Sequence, residues 1–398
     1  MTGSKRHYLD HNATAPLRPA ARDAVVRALD SLGNPSSIHA EGRAARAIVD
    51  RARAQVARLV GARPQNVVFT AGATEAAHLA LSPLIHAGGE ERAVPRLYPL
   101  ATEHACVLDG GRFAPDRLRP LAVDGEGRLS RCSLDAVLDA HHDDAEPAFV
   151  AVQMANSETG VLQDVGDVAR RVRLRGGFTV TDVVQAAGRT PIDIATLGVD
   201  FTILSSHKIG GPQGVGALVL TSADVRPPPV HRGGGQEDGL RAGTHNVAGI
   251  AGFGAAAEAA AAEAGDATRL RSLRDSTEAA MRTICAEKGL ADRLTIFGAG
   301  AARLPNTVAY SLKGTDAQTA LIAYDLAGVS LSSGSACSSG KVGRSHVLDA
   351  MGVDRDVARG ALRVSYGWSS VAADRDAFLS VFAAQVARQA ETRLQAAE

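Results

Sequence analysis

Residues 199–220 read VDFTILSSHKIGGPQGVGALVL. Two apolar runs, VDFTILSS (199–206) and GVGALVL (214–220), stand either side of a polar turn holding His207 and Lys208. Each run has the length of a strand and stays apolar rather than alternating, which predicts strands covered on both faces. Working outward, NVVFT (66–70), PAFVAVQM (147–154) and FTVTDVV (178–184) predict further strands. Helices are predicted over 17–32, over 40–60, after AGATE and from about 164. GNPSS (33–37) breaks the first two apart. Strands alternating with helices specify an α/β fold with a mostly parallel sheet. Beyond about 265 the order changes to a long helix, a strand (306–312), a helix (315–327), a strand (361–366) and a last helix from about 371. That pattern predicts a smaller α+β C-terminal domain. The expected division is a large domain over 16–262 and a small one from 1–15 with 263–398.

The chain has 398 residues and a formal charge of +0, which gives no electrostatic case for nucleic acid or an anionic membrane. Cys106, Cys132, Cys285 and Cys337 form no C-x-x-C pair, so neither a disulfide framework nor an intrinsic metal site is expected. That suits a reducing, cytoplasmic compartment. The N-terminal MTGSKRHYLD lacks the apolar core of a signal peptide. The Ala/Gly run at 247–265 carries glutamates and reads as a soluble helix, not a membrane span. Five lysines stand against 38 arginines, and Lys208 is the one lysine between positions 6 and 287. Arginine replaces lysine as a charge but not as a nucleophilic amine. A lysine kept amid that bias is a candidate for Schiff-base chemistry, against the alternative of chance.

In an open α/β sheet, ligands bind at the carboxyl ends of the strands. Four motifs fall there. FTAGATE (69–75) could cradle a phosphate on Gly72, Ala73 and Thr74, or be an ordinary strand–helix turn. SSHK (205–208) adds Ser205 and His207 beside Lys208. In TDVVQAAG (181–188), Asp182 ends an apolar strand, where a carboxylate needs a cationic partner unless it caps a helix. His104 in ATEHACVL (101–108) has no assignable role alone. A phosphate cradle, an amine and a carboxylate together describe pyridoxal phosphate. The phosphate goes to the cradle, the aldehyde to Lys208 and the ring nitrogen to Asp182. Cys337 sits in SSGSACSSG (332–340), with no large apolar residue to pack it. Cys106 and Cys285, in apolar surroundings, are expected in the core, and Cys132 near a helix start is expected exposed.

The chain resembles the cysteine desulfurases of the class-V aminotransferase group, which have the fold-type I pyridoxal-phosphate architecture. The resemblance rests on YLDHNATAP (8–16), GNPSSIH (33–39), VVFTAGATEA (67–76), TEHACVL (102–108), MANSETG (154–160), DVVQAAGRTPID (182–193), SSHKIGGPQGVGAL (205–218), GGGQEDGLRAGTHN (233–246), SSGSACSSG (332–340) and ALRVSYG (361–367), in family order along nearly the whole chain. It implies that Lys208 holds the cofactor and moves the substrate Cα proton. His104 would stack on the ring, Gln185 would bond its ring oxygen, and Asn156 would lie beside cofactor and substrate. Arg363 would clamp the substrate carboxylate, with Asn34 near it. Thr244 would reach the phosphate of a neighbouring subunit, which implies a homodimer. Cys337 would take sulfur from L-cysteine as a persulfide on a mobile loop at about 332–345. It would pass that sulfur to an acceptor protein such as an iron–sulfur scaffold, with at most a transient iron–sulfur contact. His245, Ser205-Ser206 and VVQ depart from the commoner family residues. The alternatives are a selenocysteine lyase of the same fold and an inactive sulfur carrier. A cofactor-free cysteine hydrolase leaves Lys208 and Asp182 unexplained.

Overall fold

The computed structural model describes residues 6–141, 146–264, 267–333 and 344–395. Its main sheet has six strands: β1 (Val67–Thr70), β2 (Leu97–Pro99), β3 (Phe149–Ala151), β4 (Phe178–Asp182), β5 (Phe201–Ser205) and β6 (Gly216–Leu220). The spatial order is β1-β6-β5-β4-β3-β2. β2, β3, β4 and β5 pair in parallel, and β6 pairs antiparallel with both β5 and β1. Only β6 runs against the others, so the carboxyl ends of five strands open on one edge. Both faces are apolar, as the continuous runs require. Val67, Phe69, Val150, Leu204, Ala217 and Val219 face one core, and Val68, Phe149, Ala151, Phe201, Ile203 and Leu218 face the other. β3, β4 and β5 end before the sequence suggests, while β1 and β6 reach their expected carboxyl ends. At β4 the cause is local: Asp182 Oδ1 accepts the Val184 N–H at 2.7 Å and turns the chain.

Helices α1 (Pro19–Leu29) and α2 (Ala40–Leu59) pack on α5 (Val247–Ala264), while α3 (Ala73–Ala80) and α4 (Ala105–Leu108) open at the sheet's carboxyl edge. The Ala/Gly run is explained by close helix contact. A Cβ on Gly254 would lie 2.6 Å from Ala52 Cα, and one on Gly252 would lie 2.6 Å from Val25 Cγ2. Among the described residues no helix is long and apolar enough to cross a membrane. A hairpin, Leu84–Ala87 with Glu90–Ala93, was not foreseen; its signal is Gly88-Gly89, at φ 62° and 83°.

A second sheet, β7 (Leu294–Ile296), β8 (Thr307–Leu312) and β9 (Ala361–Ser365), is antiparallel in that order. It is covered by α6 (Thr268–Glu287) and α7 (Ala372–Gln395) through Met281, Cys285, Phe378, Phe382 and Val386. His7–Tyr8 pairs with Val329–Ser330, which attaches the N-terminal segment to this part.

One ion-pair cluster holds a strained turn. Glu237 and Asp238 adopt left-handed φ of 51° and 52° without being glycine. Glu237 is buried and accepts from Arg53 Nη1 and Nη2 (2.7 Å each), Phe69 N–H (2.9 Å) and His245 Nε2 (2.7 Å). Burial alone would push its carboxyl up, but these donors outweigh burial and hold it down to about 2. The stabilisation is therefore complete above the ordinary carboxylate range and is lost as pH falls toward 2. Glu237→Ala is expected to cost about 3–5 kcal/mol, because Arg53 is left buried and unpaired. Denaturant titration at neutral pH checks this, and a loss below about 1 kcal/mol would reject the pin.

Candidate active site

A cavity of about 430 Å³ opens at the carboxyl edge of the sheet, between it and Arg363 on β9. Ala73, Thr74, His104, Asp182, Gln185, Ser205, His207, Lys208 and Arg363 all line it. All but Arg363 follow or end β1, β2, β4 and β5, which converge because these strands end at one edge; Arg363, within β9 of the antiparallel sheet, comes from up to 290 positions away. A larger concavity, about 780 Å³, lies beside Arg53 and Glu237. Its buried acid, Glu237, already has its donors.

At one end of the cavity is the N-terminus of α3. Its first N–H groups have no carbonyl within the helix to bond and present partial positive charge. Ser205 is buried beside them. His207 Nδ1 meets Thr14 Oγ1 at 3.1 Å; burial, with Lys208 next to it, pushes the imidazole down to about 4, so it is neutral. Lys208 Nζ donates to the carbonyls of Asn12 and Ala13 at 2.7 Å each. Burial pushes the Asp182 carboxyl up, and the Val184 N–H, His104 and Lys208 hold it back. It is a desolvated carboxylate suited to a protonated ring nitrogen. His104 caps α4: its Nδ1 accepts the Cys106 N–H at 3.3 Å and meets Cys106 Sγ at 3.1 Å. In the neutral ring the proton therefore sits on Nε2.

Arg363 is 4 % exposed. Its Nη2 donates to Asp10 Oδ1 at 2.7 Å and its Nη1 to the Ser157 carbonyl at 3.0 Å. Its Nε is buried with no partner among the described residues. Arg363 lines the cavity with one guanidinium donor that no described residue accepts, the kind of group that recognises a carboxylate.

Three expected residues stand elsewhere. Asn156 is behind the wall rather than in it. Its Oδ1 accepts from Glu158 N–H, Thr159 N–H and Thr159 Oγ1, and its Nδ2 donates to the Thr102 carbonyl, so it shapes the turn whose Ala155 and Ser157 line the cavity. Asn34 closes its own turn, accepting the Ser36 N–H at 2.9 Å, and does not line the cavity. Thr244 is exposed and also outside it. Cys337 lies outside the described residues. Cys285 is buried and Cys132 exposed, as expected, while Cys106 packs against the core without being fully buried. It is half-buried and lines the cavity, because capping by His104 turns the first residues of α4 inward. Asp10, Asn12 and Arg189 carry structural weight here that the sequence did not assign. Their only signal was membership of the quoted motifs.

The model of the class-V aminotransferases matches residues 7–378. The chain belongs to the class-V aminotransferase family. Among this family's members it is 42% identical over 372 residues to a cysteine desulfurase of Frankia sp., covering 90% of this chain and 86% of that one. It is 34% identical to a selenocysteine lyase of Bos taurus, covering 97% and 94%. The X-ray structure of a NifS-like protein from Rickettsia africae superposes with a TM-score of 0.83 at 31% identity, covering 95% and 98%. The cofactor of these class-V proteins is pyridoxal phosphate, and the residues present fit it. The α3 N–H groups suit its phosphate, Lys208 its aldehyde and the desolvated Asp182 its ring nitrogen.

Proposed function

We propose that this chain is a cysteine desulfurase that converts L-cysteine to L-alanine and passes the sulfur on as a persulfide of Cys337. The observation that carries the reading is the buried Arg363 with its unpartnered Nε, sharing one cavity with Lys208 and Asp182. Such a site takes a small amino acid by its carboxylate and its amine together. Pyridoxal phosphate, when bound, supplies the aldehyde that takes the amine and a ring that stores the electron pair released at Cα. Ala73, Thr74, Ser205 and His207 hold its phosphate, Asp182 keeps its ring nitrogen protonated, and Gln185 meets its ring oxygen. Lys208 takes the Cα proton. His104, with its proton on Nε2, would assist proton transfer beside the bound cofactor. The Cys337 thiolate attacks the substrate sulfur, the S–Cβ bond breaks with its electron pair going to Cβ, protonation at Cβ gives the methyl group, and Lys208 returns its proton to Cα to complete alanine.

The described residues flanking the Cys337 segment support this role. Ser332 exchanges backbone hydrogen bonds with Arg363 at 3.3 and 2.7 Å. Ser345 Oγ donates to Glu158 Oε2 at 2.6 Å, and His346 Nε2 donates to the Glu103 carbonyl at 2.8 Å, directly before His104. Both stems are thus tied to the wall of the cavity. We take 16–262 as the cofactor-binding unit and 1–15 with 263–398 as the unit carrying the thiol. Thr244, exposed on this subunit, completes the phosphate site of a second copy, which makes a homodimer the working form. The product sulfur goes to an acceptor protein, for iron–sulfur cluster assembly or another thiolation route.

Mass spectrometry after cysteine treatment tests the reading. An adduct of about 32 Da is expected on Cys337, as one sulfur atom on the attacking thiolate requires. An adduct on Cys106 or Cys132 instead would overturn it. A Cys337→Ala protein that loses cysteine turnover but still releases selenium from selenocysteine would favour the lyase, consistent with the similarity to a selenocysteine lyase.

A further inference from the structure

Arg189 lies four residues beyond Gln185 and is 6 % exposed. Its Nη1 donates to the Gln185 carbonyl at 2.8 Å and to Gln185 Oε1 at 2.5 Å, and its Nη2 donates to the His11 carbonyl at 3.2 Å. All three acceptors are neutral, and among the described residues no carboxylate forms an ion pair with it. Burial pushes the guanidinium down to about 9, with Arg363 adding to the effect, so it is still a cation at neutral pH. Its charge is felt nearby: burial and then Arg189 hold His11 neutral, down at about 3. The arginine that lines the cavity, Arg363, has Asp10 as counter-ion. A buried cation without one is costly, and an anion placed close by in the cavity would offset that cost.

The contact also settles an orientation. A guanidinium only donates, so Gln185 must turn Oε1 toward Arg189 and its NH2 away from it. One hydrogen of that NH2 goes to the Asn12 carbonyl at 3.1 Å. The second is available to the cavity that Gln185 lines.

We propose that Arg189 is a positioning residue for the cofactor, locking Gln185 as a donor into the cavity and placing a buried positive charge behind it, opposite the anionic phenolic oxygen of bound pyridoxal phosphate. This rests on the reading of the cavity as a pyridoxal-phosphate site. It assigns a role that Arg363, Lys208 and Asp182 do not fill.

The test uses the full chain stripped of cofactor and two probes, pyridoxal phosphate and 3-deoxypyridoxal phosphate. The second keeps phosphate, aldehyde and ring nitrogen but has no phenolic oxygen. Dissociation constants are read from quenching of intrinsic fluorescence. Wild type is expected to prefer pyridoxal phosphate, and Arg189→Met to lower that preference about tenfold, the size of one hydrogen bond to a charged group. Arg189→Lys, which keeps charge but not the fork, should retain part of it. A purely structural loss would weaken both probes alike and leave the ratio unchanged, and that result in a folded variant overturns the proposal. Should Arg189→Met not fold, wild type still decides: equal affinity for the two probes overturns it. Binding of neither probe would instead remove the cofactor reading itself.

Discussion

Lys208→Ala is expected to abolish cysteine breakdown, by roughly three orders of magnitude or more, since positioned proton transfer alone contributes about 10²–10⁴-fold. The structure shows why no neighbour can substitute. Lys208 is the one lysine between positions 6 and 287, and the one arginine lining the cavity, Arg363, does not form a Schiff base. Its ammonium is aimed by two carbonyls, Asn12 and Ala13, each at 2.7 Å. Lys208→Arg separates charge from nucleophilicity. It keeps a cation for those carbonyls and should be as inactive as the alanine variant. Alanine release is the measurement. Borohydride treatment of the wild-type holoenzyme should bleach its yellow colour and fix the cofactor covalently, and in Lys208→Ala it should not. Undiminished turnover in the alanine variant would refute the assignment of this amine.

Arg363→Lys is expected to lower kcat/KM for cysteine roughly a hundredfold, mainly through KM. Two charge-assisted hydrogen bonds to the carboxylate together are worth about 3 kcal/mol, and lysine offers a point charge in place of a fork. Arg363→Ala should lose more, because Asp10 would then face the cavity without its counter-ion. The discriminating measurement compares cysteine with cysteamine, which lacks the carboxylate. Wild type should discriminate strongly between them and the variants weakly. An unchanged ratio would show that Arg363 is a structural strand residue, consistent only with its ties to Asp10 and the Ser157 carbonyl.

Much of the site was legible because its chemistry is carried by residue types that are costly or rare in their setting. A lone lysine among arginines, a carboxylate ending an apolar strand and a small-residue turn opening a helix each have an ordinary structural use alone; together at strand ends they point to the cofactor. Asn156 and Asn34 are placed by local bonding. A short amide side chain in a turn bonds its own backbone first, and both do so here. Cys106 misled because α4 is only four residues long, so the cap at His104 and not the apolar run sets which way the thiol points. Arg189 went unassigned because a charged residue in a helix-like stretch reads as surface unless its burial is known.

The sequence alone determined the α/β alternation, the residue that can form a Schiff base and the order of the motifs, since strand period, helix period and amine chemistry are local properties. Only the tertiary structure decided which polar side chains share the cavity and which are spent on turns, that Arg363 keeps an orphaned donor, and that Arg189 sits without a counter-ion behind Gln185. Those are matters of distance and burial between segments far apart in the chain, and they come into being when the carboxyl ends of the parallel strands are brought to one edge.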